Sequence, residues 1–307
     1  PGTGKTYSVR KYVEEQCTNK DTAGNEITDT SQFKFVQFHP SYDYSDFVEG
    51  LRPVVLQGNE TNDATFVRLD GVFKAFCRHI VEENETDKKY YFIVDEINRA
   101  DLAKVFGELM FGLEKSYRGK KFDTQYKNLY TYRIIEKSDI KKGKFSEKDL
   151  GKAVIIKEDV FKEGFYIPEN LYFIGTMNDI DRSVDSMDFA LRRRFTWIDI
   201  KANEIMNKSL HSILDDYNKM SQIDIDQLAK KVIKMNECIS AQDKLGLTEA
   251  YHIGPAYFRD LDINHYESSI TVIFENNIVS ILREYTRGRK TSEIKSLIDS
   301  CRMALLG

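Results

Sequence analysis

Six residues at the start of the chain, Pro1, Gly2, Thr3, Gly4, Lys5 and Thr6, combine the residue types that a triphosphate needs. Gly2 and Gly4 carry no Cβ, so backbone N–H groups can turn inward against phosphate oxygens. A helix starting near Lys5 would aim its free N–H groups and positive end at the same anion. Lys5 would reach the β- and γ-phosphates as a mobile point charge, and the Thr6 hydroxyl would be a ligand for Mg²⁺. PGTGKT supplies the last six residues of the Walker A pattern GxxxxGK[ST]; the first Gly of that pattern would lie before residue 1, which suggests residues upstream. A Gly-rich turn ahead of an amphipathic helix would read the same in isolation.

A second segment narrows the choice. In YYFIVDE (90–96) an apolar run ends in Asp95 and Glu96. Strand alternation would point the two carboxylates in opposite directions, which suits two jobs. Asp95 would hold the Mg²⁺ shell through water, and Glu96 would orient and polarise an attacking water. A third apolar run, NLYFIGTMN, ends in Asn178, whose amide would stand beside the γ-phosphate if the two runs are neighbouring strands. Arg182, Arg192, Arg193 and Arg194 then follow within a short stretch. Guanidinium groups packed so closely repel unless they face anions. Arginine matches phosphate in a bidentate way, and one supplied by a neighbouring subunit can stabilise transition-state charge. Such a contact implies a head-to-tail interface that closes into a ring. Surface pairing with Asp185 and Asp188 is the plainer explanation for any single one of these arginines.

The elements that must position these groups follow from periodicity. FKFVQF (33–38), YYFIVDE (90–96), NLYFIGT (170–176) and FTWIDI (195–200) predict strands, and three of them are nearly continuous apolar runs, as in a parallel sheet covered on both faces. Leu102, Val105, Phe106, Leu109, Met110 and Leu113 predict one helical face with Asp101 as N-cap. This alternation predicts a P-loop α/β domain with a doubly wound parallel sheet over 1–202. Beyond it, Ile225, Leu228, Ala229, Val232 and Ile233 form one helical stripe, and Ile270, Ile273, Phe274, Ile278, Ile281 and Leu282 another. A small helical domain over 203–307 is expected. Residues 115–168, with YTYRII and AVIIK among Lys-rich segments, read as an inserted hairpin region.

Composition limits the function classes. The 307 residues are 41% hydrophobic and 31% charged, enough for a core and a solvated surface, and no apolar run is long enough to span a bilayer. A net charge of −4 does not suggest a dedicated nucleic-acid binder. The basic stretches Lys115–Lys121 and Lys141–Lys148 read as solvated loops, with a DNA-facing pore loop as the sharper alternative. Cys17, Cys77, Cys238 and Cys301 form no CxxC pair, which fits a reduced cytoplasmic compartment.

With these segments in hand, the chain closely resembles the McrB family, the GTP-hydrolysing motor subunits of modification-dependent McrBC restriction systems. The resemblance is carried by FVQFHPSYDYSDFVEGLRP, FIVDEINRADLAKVFGELM, FIGTMNDIDRSVDSMDFALRRRFTWIDI and YHIGPAYF, and weakens across 19–32, 115–168 and after 260. It implies an AAA+ α/β domain with a small helical lid, a homo-oligomeric ring of six, and Mg²⁺ with ATP or GTP. It implies Asp95 and Glu96 as Walker B, Asn98 as a water-positioning residue, and Asn178 as sensor 1. Arg193 and Arg194 resemble the trans-acting fingers, with Arg182 in support. An McrC-like nuclease partner and DNA, reached through an upstream domain and the pore, would complete an anti-phage complex. Two features depart from the family. Asp179 and Ile180 replace the usual variable residues of MNxxDRS, and no lid arginine stands in YHIGPAYF, where Tyr251 and His252 would meet the nucleotide. No NKxD element holds guanine either, since Asn19, Lys20 and Asp21 have the wrong spacing. ATP and GTP both stay open. The alternative function is a MoxR- or dynein-like ATPase that remodels protein complexes.

Overall fold

A computed structural model describes residues 2–20, 22–59, 61, 63–178, 180, 189–215, 222–241, 246–262 and 264–307. The chain divides into two compact units: an α/β unit of Tyr12–Met177 with Arg182–Thr196, and a mainly helical unit of Pro1–Lys11, Asn178–Asp181 and Trp197–Gly307. The helix α1 (Lys5–Gln16) contributes residues to both.

In the α/β unit, β1 (Thr18–Lys20) and β2 (Glu26–Thr28) form a small antiparallel hairpin before β3 (Phe33–Gln37). The short α2 (Tyr44–Phe47) is capped by Asp43, which accepts from Ser45 N at 2.8 Å. Then come β4 (Glu49–Val55), β5 (Ala64–Asp70), α3 (Val72–Glu83) and β6 (Tyr90–Asp95). The strands β3, β6 and β9 (Leu171–Gly175) make a parallel sheet in that order, with Val36 opposite Val94 and Phe92 opposite Phe173. Tyr90 to Val94 are all buried, as expected for a central strand covered on both faces. Phe47 stacks on Phe73 at 4.9 Å between ring centroids, and Phe92 on Phe173 at 5.8 Å, so aromatic side chains fill the layer against β6 and β9.

Two expectations differ from the structure. The single helix predicted after Asp101 is two, α4 (Leu102–Phe106) and α5 (Leu109–Leu113), broken at Gly107, whose φ of +49° and ψ of −129° no helix contains. The apolar spacing survives because Leu102, Val105, Phe106, Leu109 and Leu113 are buried all the same. FTWIDI forms no strand; Trp197 and Ile198 are exposed. Side-chain pattern reports what a strand would bury, whereas a strand exists only where a neighbour takes its backbone hydrogen bonds. Among the described residues FTWIDI belongs to no sheet.

The strands within 115–168 share a sheet with strands outside it. β7 (Thr131–Ile134) and β8 (Ala153–Ile155) pair antiparallel, with α6 (Lys137–Lys141) between them. They continue a four-stranded sheet begun by the β4–β5 hairpin, Arg68 of β5 facing Thr131 of β7. Pro53 inside β4 hides that hairpin from a strand reading, since proline removes a ladder donor. Charged groups knit this sheet to α3. Lys74 pairs with Glu49, side chains 2% and 0% exposed, and Arg78 reaches Asp70 at 2.7 Å and Asp159 at 2.6 Å. Burial pushes the Asp159 carboxyl up, but the Thr131 hydroxyl and Arg78 outweigh it and hold the group down to about 2. Glu49 is likewise lowered on balance, Lys74 outweighing desolvation.

The helical unit holds α7's successors. After α7 (Phe189–Arg192), which belongs to the α/β unit, come α8 (Ala202–Asp215), α9 (Gln222–Ser240), α10 (Tyr266–Ile273), α11 (Val279–Tyr285) and α12 (Thr291–Leu306). Ile225, Leu228, Ala229 and Val232 pack in one core with Ile270, Ile273, Phe274, Ile278 and Leu282. Asn236 is buried in that core, and its amide brackets one residue: Oδ1 accepts from Ile253 N at 2.8 Å and Nδ2 donates to Ile253 O at 3.0 Å. No helix among the described residues is long and apolar enough to cross a membrane.

Candidate nucleotide site

In the helical unit, Gly2 and Gly4 take φ of +71° and +70°, with Thr3 between them. Those left-handed positions curl the backbone so that successive N–H groups can converge on an anion, and only glycine adopts them without strain. α1 starts directly at Lys5, and its first turn closes with Ser8 N to Gly4 O at 2.8 Å. The Lys5 ammonium donates to Asn178 Oδ1 at 3.0 Å and to Thr3 Oγ1 at 3.2 Å. Two motifs 173 residues apart in sequence therefore meet at one amine. Thr6 is half-buried on the first turn.

A contact that the sequence reading missed lies on the other side of the same loop. A 3₁₀ turn, Pro255–Phe258, follows Gly254, and its Ala256 N–H donates to the Gly2 carbonyl at 2.9 Å. The Tyr257 ring fills the space where a Gly2 Cβ would stand, 2.6 Å from Cδ2. A Cβ on Gly254 would sit 2.5 Å from Thr3 N. The residues expected to face the nucleotide from this segment are occupied elsewhere. His252 Nε2 bonds to Ser240 Oγ at 2.5 Å, and burial lowers its pKa; Tyr251 packs edge-on to Tyr285 at 5.0 Å. The missed signal was the Gly-Pro pair in YHIGPAYF, which marks a close backbone approach as readily as a turn.

In the α/β unit, β6 ends at Asp95, which accepts a hydrogen bond from the Thr176 hydroxyl just beyond β9. Glu96 is not a strand residue. It sits in the left-handed region with φ +51° and ψ 47°, a conformation that costs a non-glycine residue roughly 1–2 kcal/mol. Glu96 thus lies past the strand end, and strand alternation does not set its direction. Arg99 Nε lies 3.3 Å from Glu96 Oε2. Asn98 is buried in the 3₁₀ turn Ile97–Arg99.

The arginines separate sharply. Arg194 is 7% exposed and pairs with Glu114 Oε1 at 2.8 Å, whereas Arg193 is 70% exposed and 3.5 Å from the same oxygen. Pro1 and Arg182 lie outside the described residues. The structure thus groups Gly2, Thr3, Gly4, Lys5 and Asn178 within one unit, and Asp95, Glu96, Asn98 and the Arg193–Arg194 pair within the other.

The family model of the AAA domain, dynein-related subfamily, matches residues 1–195. The chain belongs to that family. It is a P-loop AAA+ protein similar to McrB. It is 35% identical over 258 residues to the type IV methyl-directed restriction enzyme EcoKMcrB subunit of Escherichia coli, covering 84% of this chain and 45% of that protein. A second relative, the type II restriction enzyme BsuMI component YdiS of Bacillus subtilis, is 24% identical, covering 64% of this chain and 54% of its own. The chain spans about half the length of the curated relatives it matches. A solved structure from Cytophaga hutchinsonii covers 96% of this AAA+ chain at 13% identity, with a TM-score of 0.25, too low to bear on the fold.

Proposed function

We propose that this AAA+ protein hydrolyses ATP or GTP with Mg²⁺ and drives a restriction complex. The observation that carries the reading is the 3.0 Å bond from Lys5 to Asn178, which brings together two motifs 173 residues apart in sequence. On this reading both groups of residues act in hydrolysis of a triphosphate. Lys5 and the N–H groups of Gly2–Thr6 bind and orient its β- and γ-phosphates. Thr6 and Asp95 have the oxygen donors suited to Mg²⁺, which when bound supplies charge neutralisation at those phosphates. Glu96 orients and polarises the attacking water, Asn98 helps to place it, and Asn178 senses the γ-phosphate. Arg193, exposed beside an anchored Arg194, is the residue offered to the next subunit of a ring of six, and Arg182 supports it. The division into a catalytic domain over 1–202 and a lid over 203–307 goes with this role. On this reading the protein works in the cytoplasm with a nuclease partner of the McrC kind and moves DNA, which the similarity to restriction components supports.

Glu96→Gln tests the reading most directly: nucleotide binding should persist while turnover falls by roughly 10³-fold or more. Unchanged turnover would remove Glu96 from the chemistry. Competition between ATP and GTP for one site decides the base. Because the family is named for its dynein-related members, protein remodelling is the second reading. DNA-stimulated hydrolysis in the presence of a nuclease partner supports restriction, and stimulation by a protein client alone supports remodelling.

A further inference from the structure

We propose that the turn Gly254–Tyr257 is a positioning element for the phosphate loop, setting the orientation of the Gly2–Thr3 peptide and through it the affinity for the triphosphate. The inference rests on the reading of Gly2–Thr6 as the triphosphate loop.

Three contacts from one short turn converge on one peptide group. The Ala256 N–H holds the Gly2 carbonyl at 2.9 Å. In a planar trans peptide the carbonyl and the following N–H point in opposite directions. Fixing the Gly2 oxygen against Ala256 therefore turns the Thr3 N–H away from the turn and presents it as a donor on the loop's other side. Gly254 lies against the same peptide so closely that a Cβ would meet Gly2 C and O and stand 2.5 Å from Thr3 N. Those atoms are backbone and cannot step aside as a flexible side chain would. The Tyr257 ring occupies the third side, over Gly2.

The turn is itself anchored. Ile253, the residue before Gly254, has both backbone groups held by the buried Asn236, and Asn236 Nδ2 also donates to Asn203 at 2.7 Å. Asn236 sits on α9 and Asn203 on α8, so the path from the helical core to the phosphate loop runs through backbone hydrogen bonds and one buried amide. No step in it depends on a charged side chain. A shift of the helical core relative to the loop must rotate or release the Gly2–Thr3 peptide, so this link couples the position of the core to phosphate affinity. A turn that merely fills space would tolerate a change of loop conformation; a hydrogen bond to a carbonyl with a definite direction would not.

The experiment measures the affinity of mant-ATP and mant-GTP, with Mg²⁺, for the chain and four variants, each checked for folding by circular dichroism and thermal unfolding. Gly254→Ala should raise Kd about 10-fold or more. Where turnover is measurable, KM should rise with it while kcat stays within about 3-fold. Tyr257→Ala should raise Kd about 3- to 10-fold, and Tyr257→Phe, which keeps the ring, should match the parent. A folded Gly254→Ala with parental Kd overturns the proposal, as does a loss confined to kcat. If Gly254→Ala does not fold, Tyr257→Ala and Tyr257→Phe decide it: parental Kd in both, or equal losses in both, overturns it. Lys5→Ala separates the two levels. Parental Kd in Lys5→Ala sinks the triphosphate reading and this inference with it; loss in Lys5→Ala with none at Gly254 and Tyr257 sinks this inference alone.

Discussion

The phosphate loop and the charged cluster under the inserted sheet are both dense in polar groups, and they are built to opposite ends. In the cluster, cations and carboxylates pair with one another in the interior: Lys74 on Glu49, and Arg78 on Asp70 and Asp159. The backbone joins in, with Tyr126 N donating to Glu49 at 2.8 Å. In the loop, Gly2 and Gly4 hold left-handed conformations, and the surrounding turn grips the Gly2 carbonyl, leaving N–H groups to be presented. Buried ion pairs hold a fold together; backbone donors curled inward by left-handed glycines suit an anion. Polar density alone does not distinguish a site from a brace. The direction in which the donors are turned does.

Mutations should separate the two regions. The largest effect is expected at Lys5→Ala, which should weaken triphosphate binding roughly 100-fold while leaving the thermal midpoint within about 2 °C, as fluorescence titration and calorimetry would read. Glu49→Ala should do the reverse, because it strands Lys74 without its buried partner. A loss of ~3–5 kcal/mol, or roughly 10 °C in Tm, is expected, with intrinsic triphosphate affinity of the folded chain unchanged. Replacing both partners, Glu49→Gln with Lys74→Met, should recover most of that loss, since no unpaired charge remains buried. If the double variant is no better than Glu49→Ala, the cluster is more than a brace. The smallest effect is one of pH. The Asp159 carboxyl is depressed to about 2 from an ordinary 3.8, so its contribution is complete above pH about 4 and disappears as pH falls through about 2. Asp159→Asn should flatten the urea midpoint across that window; an unchanged slope would mean that other carboxylates carry the acid limb.

Much of the candidate site was written in local sequence. Gly2 and Gly4, Lys5, Asp95, Glu96 and Asn178 could be picked out because anion binding demands particular residue types at fixed spacing. The strands β3, β6 and β9 could be read as well, because burial on both faces forces continuous apolar runs. Tertiary structure decided what depends on partners far along the chain. FTWIDI has the composition of a strand and forms none. β4 and β5, masked by Pro53, join β7 and β8 into one sheet through pairings such as Arg68 with Thr131. The left-handed turn at Glu96, the burial that separates Arg194 from Arg193, and the approach of Gly254 to Gly2 leave no periodic trace. Sequence records what each residue can do; the closing of long loops, paid in chain entropy and repaid by packing, chooses which residues meet.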